Sequence, residues 1–238
     1  MRGFAGVDGF SHVDTWVFDL DNTLYPASCR LFDQIDVRMG NFLAKLLNIG
    51  HAEARRRQKE MFYKYGTTLR GLMTEHGITP DDFLDYVHDI DHSPVPPNKA
   101  LDEALHALPG RKLIFTNGTV AHAEKVLARI GITRHFGGIF DIVHSDFIPK
   151  PEMEPYLKFI GQTGIDPTAS AMFEDIARNL EAPHALGMAT VLVVSPGNKD
   201  AEHLNMQTGG TAQEHIHHVT DDLASFLAGL AGDRKSRP

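Results

Sequence analysis

Asp19 and Asp21 stand two residues apart, where the apolar run Trp16-Val17-Phe18 stops. A strand yielding to a turn there can aim one carboxylate and one backbone carbonyl at a common hard cation such as magnesium. Thr116, Asn117 and Gly118 end a second apolar run, Leu113-Ile114-Phe115, and offer a hydroxyl, an amide and free backbone N–H groups to an oxyanion. Lys150 lies between Pro149 and Pro151, which restrict the backbone around one cation. Glu174 and Asp175 close a fourth run, Met172-Phe173, and Asn179 follows about one helical turn later. Each feature alone also has a plain structural reading. Asp and Asn favour turns, Asn-Gly is a common turn pair, single lysines sit mostly on surfaces, and acids favour helix N-termini. Leu24 and Arg30 stand where an EF-hand loop needs glycine and a bidentate glutamate, which excludes a calcium loop of that kind.

The elements that must position these groups follow from the apolar pattern. Short strand-like runs recur at 112–115, 139–143, 171–173, 189–194 and 216–219, most of them separated by helical patterns. That alternation predicts a parallel α/β sheet. Asp19, Thr116 and Asp175 then each fall just past a strand's carboxyl end, where open α/β sheets bind ligands. Leu31, Ile35, Met39, Phe42, Leu43 and Leu46 recur at helical spacing, with Gly50 as a stop, and further helices are expected at 51–65, 68–76 and 80–90. Thr79 is the expected N-cap of the last, with Pro80 at its first position. Residues 29–90 contain no strand signal, so a helical module at 27–96 is expected to be inserted into a core of 1–26 and 97–238. Segments 200–214 and 232–238 are polar and read as mobile surface.

Composition bounds the function. With 42% hydrophobic and 23% charged residues, the 238-residue chain is of globular type. Residues 188–194 form its most apolar stretch, far short of the roughly 20 a bilayer span needs, and 1–15 show no export signal. A single cysteine, Cys29, excludes a disulfide framework and any Cys-cluster zinc site within the chain, and makes the cytoplasm the expected compartment. The formal net charge of -8 disfavours a nucleic-acid polymer as partner. Arg55, Arg56, Arg57 and Lys59 fan around their helix and read as a solvated face. His215, His217 and His218, with His203, read as an exposed strand rather than a second metal site. Cys29 reads as a packing residue.

Taken in order, these motifs resemble the haloacid dehalogenase-like superfamily of phosphohydrolases. The first motif corresponds to Phe18-Asp19-Leu20-Asp21-Asn22-Thr23-Leu24, the second to Thr116-Asn117-Gly118, the third to Lys150 and the fourth to Glu174-Asp175. The helical insertion is similar to that superfamily's small cap. Residues 19–26, 65–72 and 173–180 look more particularly like its pyrimidine 5′-nucleotidase family. The resemblance implies a three-layer Rossmann-like parallel sheet with an inserted helical cap, and a phosphatase that uses Mg2+. It implies Asp19 as nucleophile and Asp21 as proton donor and acceptor. Asp19, the Asp21 carbonyl and Asp175 would hold the metal, and Thr116, Asn117 and Lys150 the phosphate. Glu174 and Asn179 would orient ligands, and Arg70 on the cap would contact the substrate's phosphate, ribose or base. True dehalogenases lack an acid at the position of Asp21, because halide leaves without a proton. The expected substrate is a small phosphorylated metabolite, UMP or CMP, with sugar phosphates or phosphoglycolate as the alternative. A phosphomutase and a receiver-like phospho-Asp switch are the competing activities, the switch lacking both the second acid and an insertion of this size.

Overall fold

The computed structural model describes residues 9–207, 211 and 213–235. Residues 208–210, 212 and 236–238, parts of the segments expected to be mobile, lie outside the described residues, as do 1–8. Six strands, β1 (Thr15–Phe18), β2 (Arg111–Phe115), β3 (Ile139–Phe140), β4 (Ser170–Glu174), β5 (Ala189–Val193) and β6 (His218–Thr220), form one sheet in the order β3-β2-β1-β4-β5-β6. Every pairing is parallel. The central strand β1, sequence TWVF, is buried along its whole length, as a parallel strand covered on both faces must be. Its side chains alternate between two cores. Trp16 and Phe18 enter one core and Val17 the other.

Helices cover both faces. The Trp16 side packs against α5 (Lys99–Ala107), α6 (Val120–Ile130) and α10 (Leu223–Lys235) through residues such as Leu105, Val126 and Leu227. The Val17 side packs against α7 (Met153–Thr163) and α8 (Glu181–Ala185), with Tyr156 and Phe159 at its centre. Phe18 stacks on Phe173 with centroids 4.7 Å apart, tying the ends of β1 and β4 together beside the site. The architecture is three-layered and Rossmann-like, as expected.

Between β1 and β2 the chain forms α1 (Leu31–Leu47), α2 (His51–Tyr65), α3 (Thr68–His76) and α4 (Pro80–His88), with no strand. They share a core of their own around Ile35, Leu43, Met61, Leu72 and Phe83, which reaches Ile142 in the loop after β3. Gly50 does not stop α1. Asn48 closes it in a left-handed conformation at φ 51°, and Gly50 instead precedes α2 as its N-cap residue. Thr79 holds the N-cap position of α4, yet its side chain accepts no hydrogen bond, while Pro80 sits in the first turn.

Three further expectations are corrected. The strand foreseen at 139–143 ends at Phe140, because the next side chain, Asp141, takes the backbone N–H groups of Val120, Val143 and His144 and folds the segment into a turn. The foreseen run at 216–219 pairs only from His218. Segment 200–214 is helical in its first part, as α9 (Lys199–Gln207), anchored by buried Ala201 and Leu204. Asn205 of this helix accepts from the Ala177 N–H and donates to the Asp175 carbonyl.

Candidate active site

Asp19 follows β1, and its N–H donates to the Phe173 carbonyl at 2.9 Å, extending the β1–β4 ladder by one residue. The acid is thereby placed at the carboxyl edge of the sheet. Lys150 comes from the far side of β2 and is 1% exposed. Its Nζ donates to Asp19 Oδ1 at 2.7 Å, Glu174 Oε1 at 2.6 Å and the Phe115 carbonyl at 2.9 Å. All three ammonium N–H groups are therefore used. Asn117 positions this lysine through the backbone, its Oδ1 accepting the Lys150 N–H at 2.9 Å.

Glu174, the last residue of β4, accepts from Lys150 and Asn179 Nδ2 on Oε1 and from the Ile176 N–H on Oε2. Asp175 follows it, with Oδ2 accepting from Asn198 at 2.6 Å. Asp19, Glu174 and Asp175 present carboxylate oxygens within 4.8 Å of one another, all buried. Burial and the crowding by Glu174 push the Asp19 carboxyl up to about 7 against the opposing pull of Lys150. Asp175 is pushed well above the carboxylate range by burial, Glu174 and Asp19. Burial lowers the affinity of Lys150 for its proton, but the flanking Asp19 and Glu174 more than reverse this and hold it charged. One ammonium thus faces three buried acids, and the excess negative charge suits a bound hard cation. Glu174 accepts three hydrogen bonds, Asp19 accepts two, from Lys150 on Oδ1 and from the Thr23 hydroxyl on Oδ2 at 2.9 Å, and Asp175 accepts one from Asn198. The buried Asn179 Oδ1 lacks a hydrogen-bond partner, a further sign that the pocket is built for a polar guest.

Asp21 stands apart from that cluster. Its Oδ1 accepts from the Tyr25 hydroxyl and contacts His122 Nε2 at 2.9 Å, and His122 Nδ1 meets His92 Nε2 at 3.2 Å. Burial raises the Asp21 carboxyl, but His122 and Tyr25 outweigh this and hold it below the ordinary value. Thr116 is 1% exposed and its Oγ1 accepts the Gly118 N–H at 2.9 Å, which leaves the hydroxyl hydrogen free to donate. The Asn117 N–H has no hydrogen-bond partner among the described residues.

The fold has counterparts among known proteins. Residues 13–187 match the hydrolase family described as haloacid dehalogenase-like hydrolase. The chain belongs to that family. It is 30% identical over 193 residues to Phosphate metabolism protein 8 of Saccharomyces cerevisiae, a match covering 74% of this chain and 60% of the yeast protein. It is 33% identical over 95 residues to Enolase-phosphatase E1 of Clavispora lusitaniae, covering 37% of this chain and 40% of that protein. Both matches therefore span less than two thirds of the relative. A HAD phosphatase structure from Thermococcus onnurineus superposes with a TM-score of 0.62 at 17% identity, covering 93% of this chain and all of that one, 100%.

On this haloacid dehalogenase-like frame, eight of the nine residues expected from the sequence line one cavity: Asp19, Asp21, Thr116, Asn117, Lys150, Glu174, Asp175 and Asn179. Arg70 does not line it. The preceding Gly66, Thr67, Thr68 and Leu69 do, and Arg70 is turned about 100° past Leu69 on α3. Lys59, expected on a solvated face, lines the cavity with Gln58 and pairs with Asp36 at 2.9 Å, whereas Arg56 and Arg57 pair with Glu53 as a surface face should. The histidine segment is not uniformly exposed: His218 in β6 is half-buried and His217 Nδ1 lies 3.1 Å from the Thr190 N–H. Among the described residues, the only cluster of potential metal ligands is Asp19, Glu174 and Asp175.

Tyr25, His88, His92 and His122 were not foreseen. Tyr25 lies four residues beyond Asp21, a spacing visible in the sequence, but His122, on α6, is 101 residues away and meets it only because β2, which α6 follows, pairs beside β1.

Proposed function

We propose that the chain is a magnesium-dependent phosphomonoester hydrolase working through an aspartyl-phosphate. The observation that carries this reading is the arrangement of Asp19 and Asp21: one acid gripped by a buried lysine, the other held separately by Tyr25 and His122. An Asp19 oxygen attacks phosphorus, the bond to the leaving oxygen breaks, and Asp21 gives that oxygen its proton. Water then attacks the phosphorus, Asp21 takes up its proton, and the Asp19–phosphorus bond breaks to release phosphate. Thr116 and the Asn117 N–H hold the phosphoryl oxygens, and Lys150 balances charge as it develops. Asp19, Asp175 and the Asp21 carbonyl are the groups that would hold Mg2+, which when bound supplies countercharge between two anionic reactants. Glu174 and Asn179 orient Lys150 and the ligands around it.

We assign residues 1–26 and 97–238 to the hydrolase core and 27–96 to a cap that closes over the site. Phe32, Phe62 and Phe83 line the cavity on the helical side, beside the Gln58 amide. These flat apolar surfaces with one amide suit a planar base. The substrate read from them, and from the sequence resemblance, is a pyrimidine nucleoside 5′-monophosphate, UMP or CMP, handled in the cytoplasm. Relatives named for phosphate metabolism and as an enolase-phosphatase favour phosphate esters over organic halides, as does the acid at position 21.

The test is phosphate release from UMP, CMP, AMP, GMP, glucose 6-phosphate and phosphoglycolate, with magnesium and with EDTA. Magnesium-dependent release confined to UMP and CMP is expected. Release from another member would discard the pyrimidine substrate, and release undiminished by EDTA would discard the metal.

A further inference from the structure

The two oxygens of Asp21 are unlike. Oδ1 takes both protein contacts, from the Tyr25 hydroxyl and from His122 Nε2 at 2.9 Å. Oδ2 has no hydrogen-bond partner among the described residues, and the side chain keeps 14% exposure at the cavity. Oδ2 faces Gly118, where an added Cβ would lie 3.6 Å from it, on the same side as the Thr116 hydroxyl at 3.3 Å. The Tyr25 and His122 side chains are themselves fixed. Tyr25 is 3% exposed and His122 1%. His122 is backed at Nδ1 by His92 and stacked on His88 with centroids 4.8 Å apart and planes at 21°. A ring with an N–H at Nε2 toward Asp21 and a lone pair at Nδ1 toward the His92 Nε2–H satisfies every partner in this chain.

We propose that Tyr25 and His122 are positioning residues that lock Asp21 and reserve its Oδ2 for proton transfer. A proton on Oδ1 would displace one of the two donors already there, so the transferable proton resides on Oδ2, the oxygen open to the phosphoester. The same two contacts prevent the carboxyl from rotating Oδ2 out of line between its two tasks, giving a proton to the leaving oxygen and taking one from water. His92, lying between α4 and the core helix α5, braces the arrangement from the chain segment that joins the helical module to the sheet. The inference rests on Asp21 being the proton-transfer group, and the test separates the two.

The experiment measures kcat/KM for p-nitrophenyl, phenyl and p-methoxyphenyl phosphate on the wild type and on Tyr25→Phe, His122→Phe, His122→Gln and Asp21→Asn. This parameter covers transfer to Asp19, where protonation matters more as the leaving group becomes more basic. Tyr25→Phe removes only an oxygen, and His122→Gln keeps an N–H near the Nε2 position. Expected losses for Tyr25→Phe and His122→Phe are about 10-fold or more on the p-methoxyphenyl ester and within about 3-fold on the p-nitrophenyl ester, with His122→Gln restoring most of the difference. Equal losses on all three esters, or none, would overturn the positioning role while Asp21→Asn still shows the leaving-group dependence. If Asp21→Asn itself lacks that dependence, the proton-transfer assignment fails and the inference falls with it.

Discussion

The Lys150 ammonium has every N–H committed to Asp19, Glu174 or the Phe115 carbonyl, so its removal would leave two buried carboxylates without their cation. Breaking a buried pair in this way costs about 3–5 kcal/mol. Lys150→Ala is therefore expected to lower the unfolding free energy of the metal-free protein by about that amount in urea and to abolish turnover; a loss below about 1 kcal/mol would contradict the account. At this scale the sequence was informative where a motif is local. Asp19 with Asp21, Thr116 with Asn117, and Glu174 with Asp175 are each a few residues apart and each end a strand. It was silent where contact depends on topology. His92 and His122 meet across 30 residues, and nothing in the spacing of either forecasts the other. Arg70 is the reverse case: its segment carries the resemblance, yet the cavity is lined by residues 66–69 before it and not by Arg70 itself.

Elements determine how the helical module meets the sheet. Gly66 links α2 to α3 at φ +84°, and a Cβ there would lie 3.3 Å from the Lys150 carbonyl and 3.1 Å from Pro149. Only glycine adopts this conformation readily and allows so close an approach. Gly66→Ala is expected to destabilise by about 1 kcal/mol or more and to lower activity through the displaced Lys150 segment, as read by thermal melts and phosphate release. His88, the last residue of α4, gives the joint a pH dependence. Burial, with His122 adding to it, lowers this imidazole from 6.5 to about 4, opposed by Asp21. Above pH 6.5 both folded and unfolded states hold it neutral. As pH falls from there toward 4 the unfolded state binds the proton first, so stability is lost across that window, by about 3 kcal/mol from this group. Urea unfolding of the wild type and His88→Gln between pH 7 and 4 should show the variant losing less, and parallel curves would contradict the shift.

Across the whole molecule, the alternation of apolar runs and helical patterns was enough to give the parallel sheet, because each buried strand carries a short Val, Ile or Phe run. The helical character of the stretch after β1 was legible too: α1 to α4 follow one another there with no strand, as its lack of strand signal indicated. Element ends were less legible where a side chain overrides the pattern, as Asp141 does at the end of β3. Helix α9 was hidden because its polar face dominates its composition, and only Ala201 and Leu204 reach the interior. The cavity-facing side chains of the helical module follow from how its four helices pack and not from any local motif. The hydrolytic core is a different matter, since all its proposed groups converge at one sheet edge. The most direct test of the account is rapid acid quench of a magnesium-supported single turnover, followed by peptide mass spectrometry of the chain. The account predicts one phosphoryl group, borne by Asp19 and absent from a folded, inactive Asp19→Asn variant. Turnover with the phosphoryl group on another residue, or an Asp19→Asn protein that still releases phosphate, would contradict it.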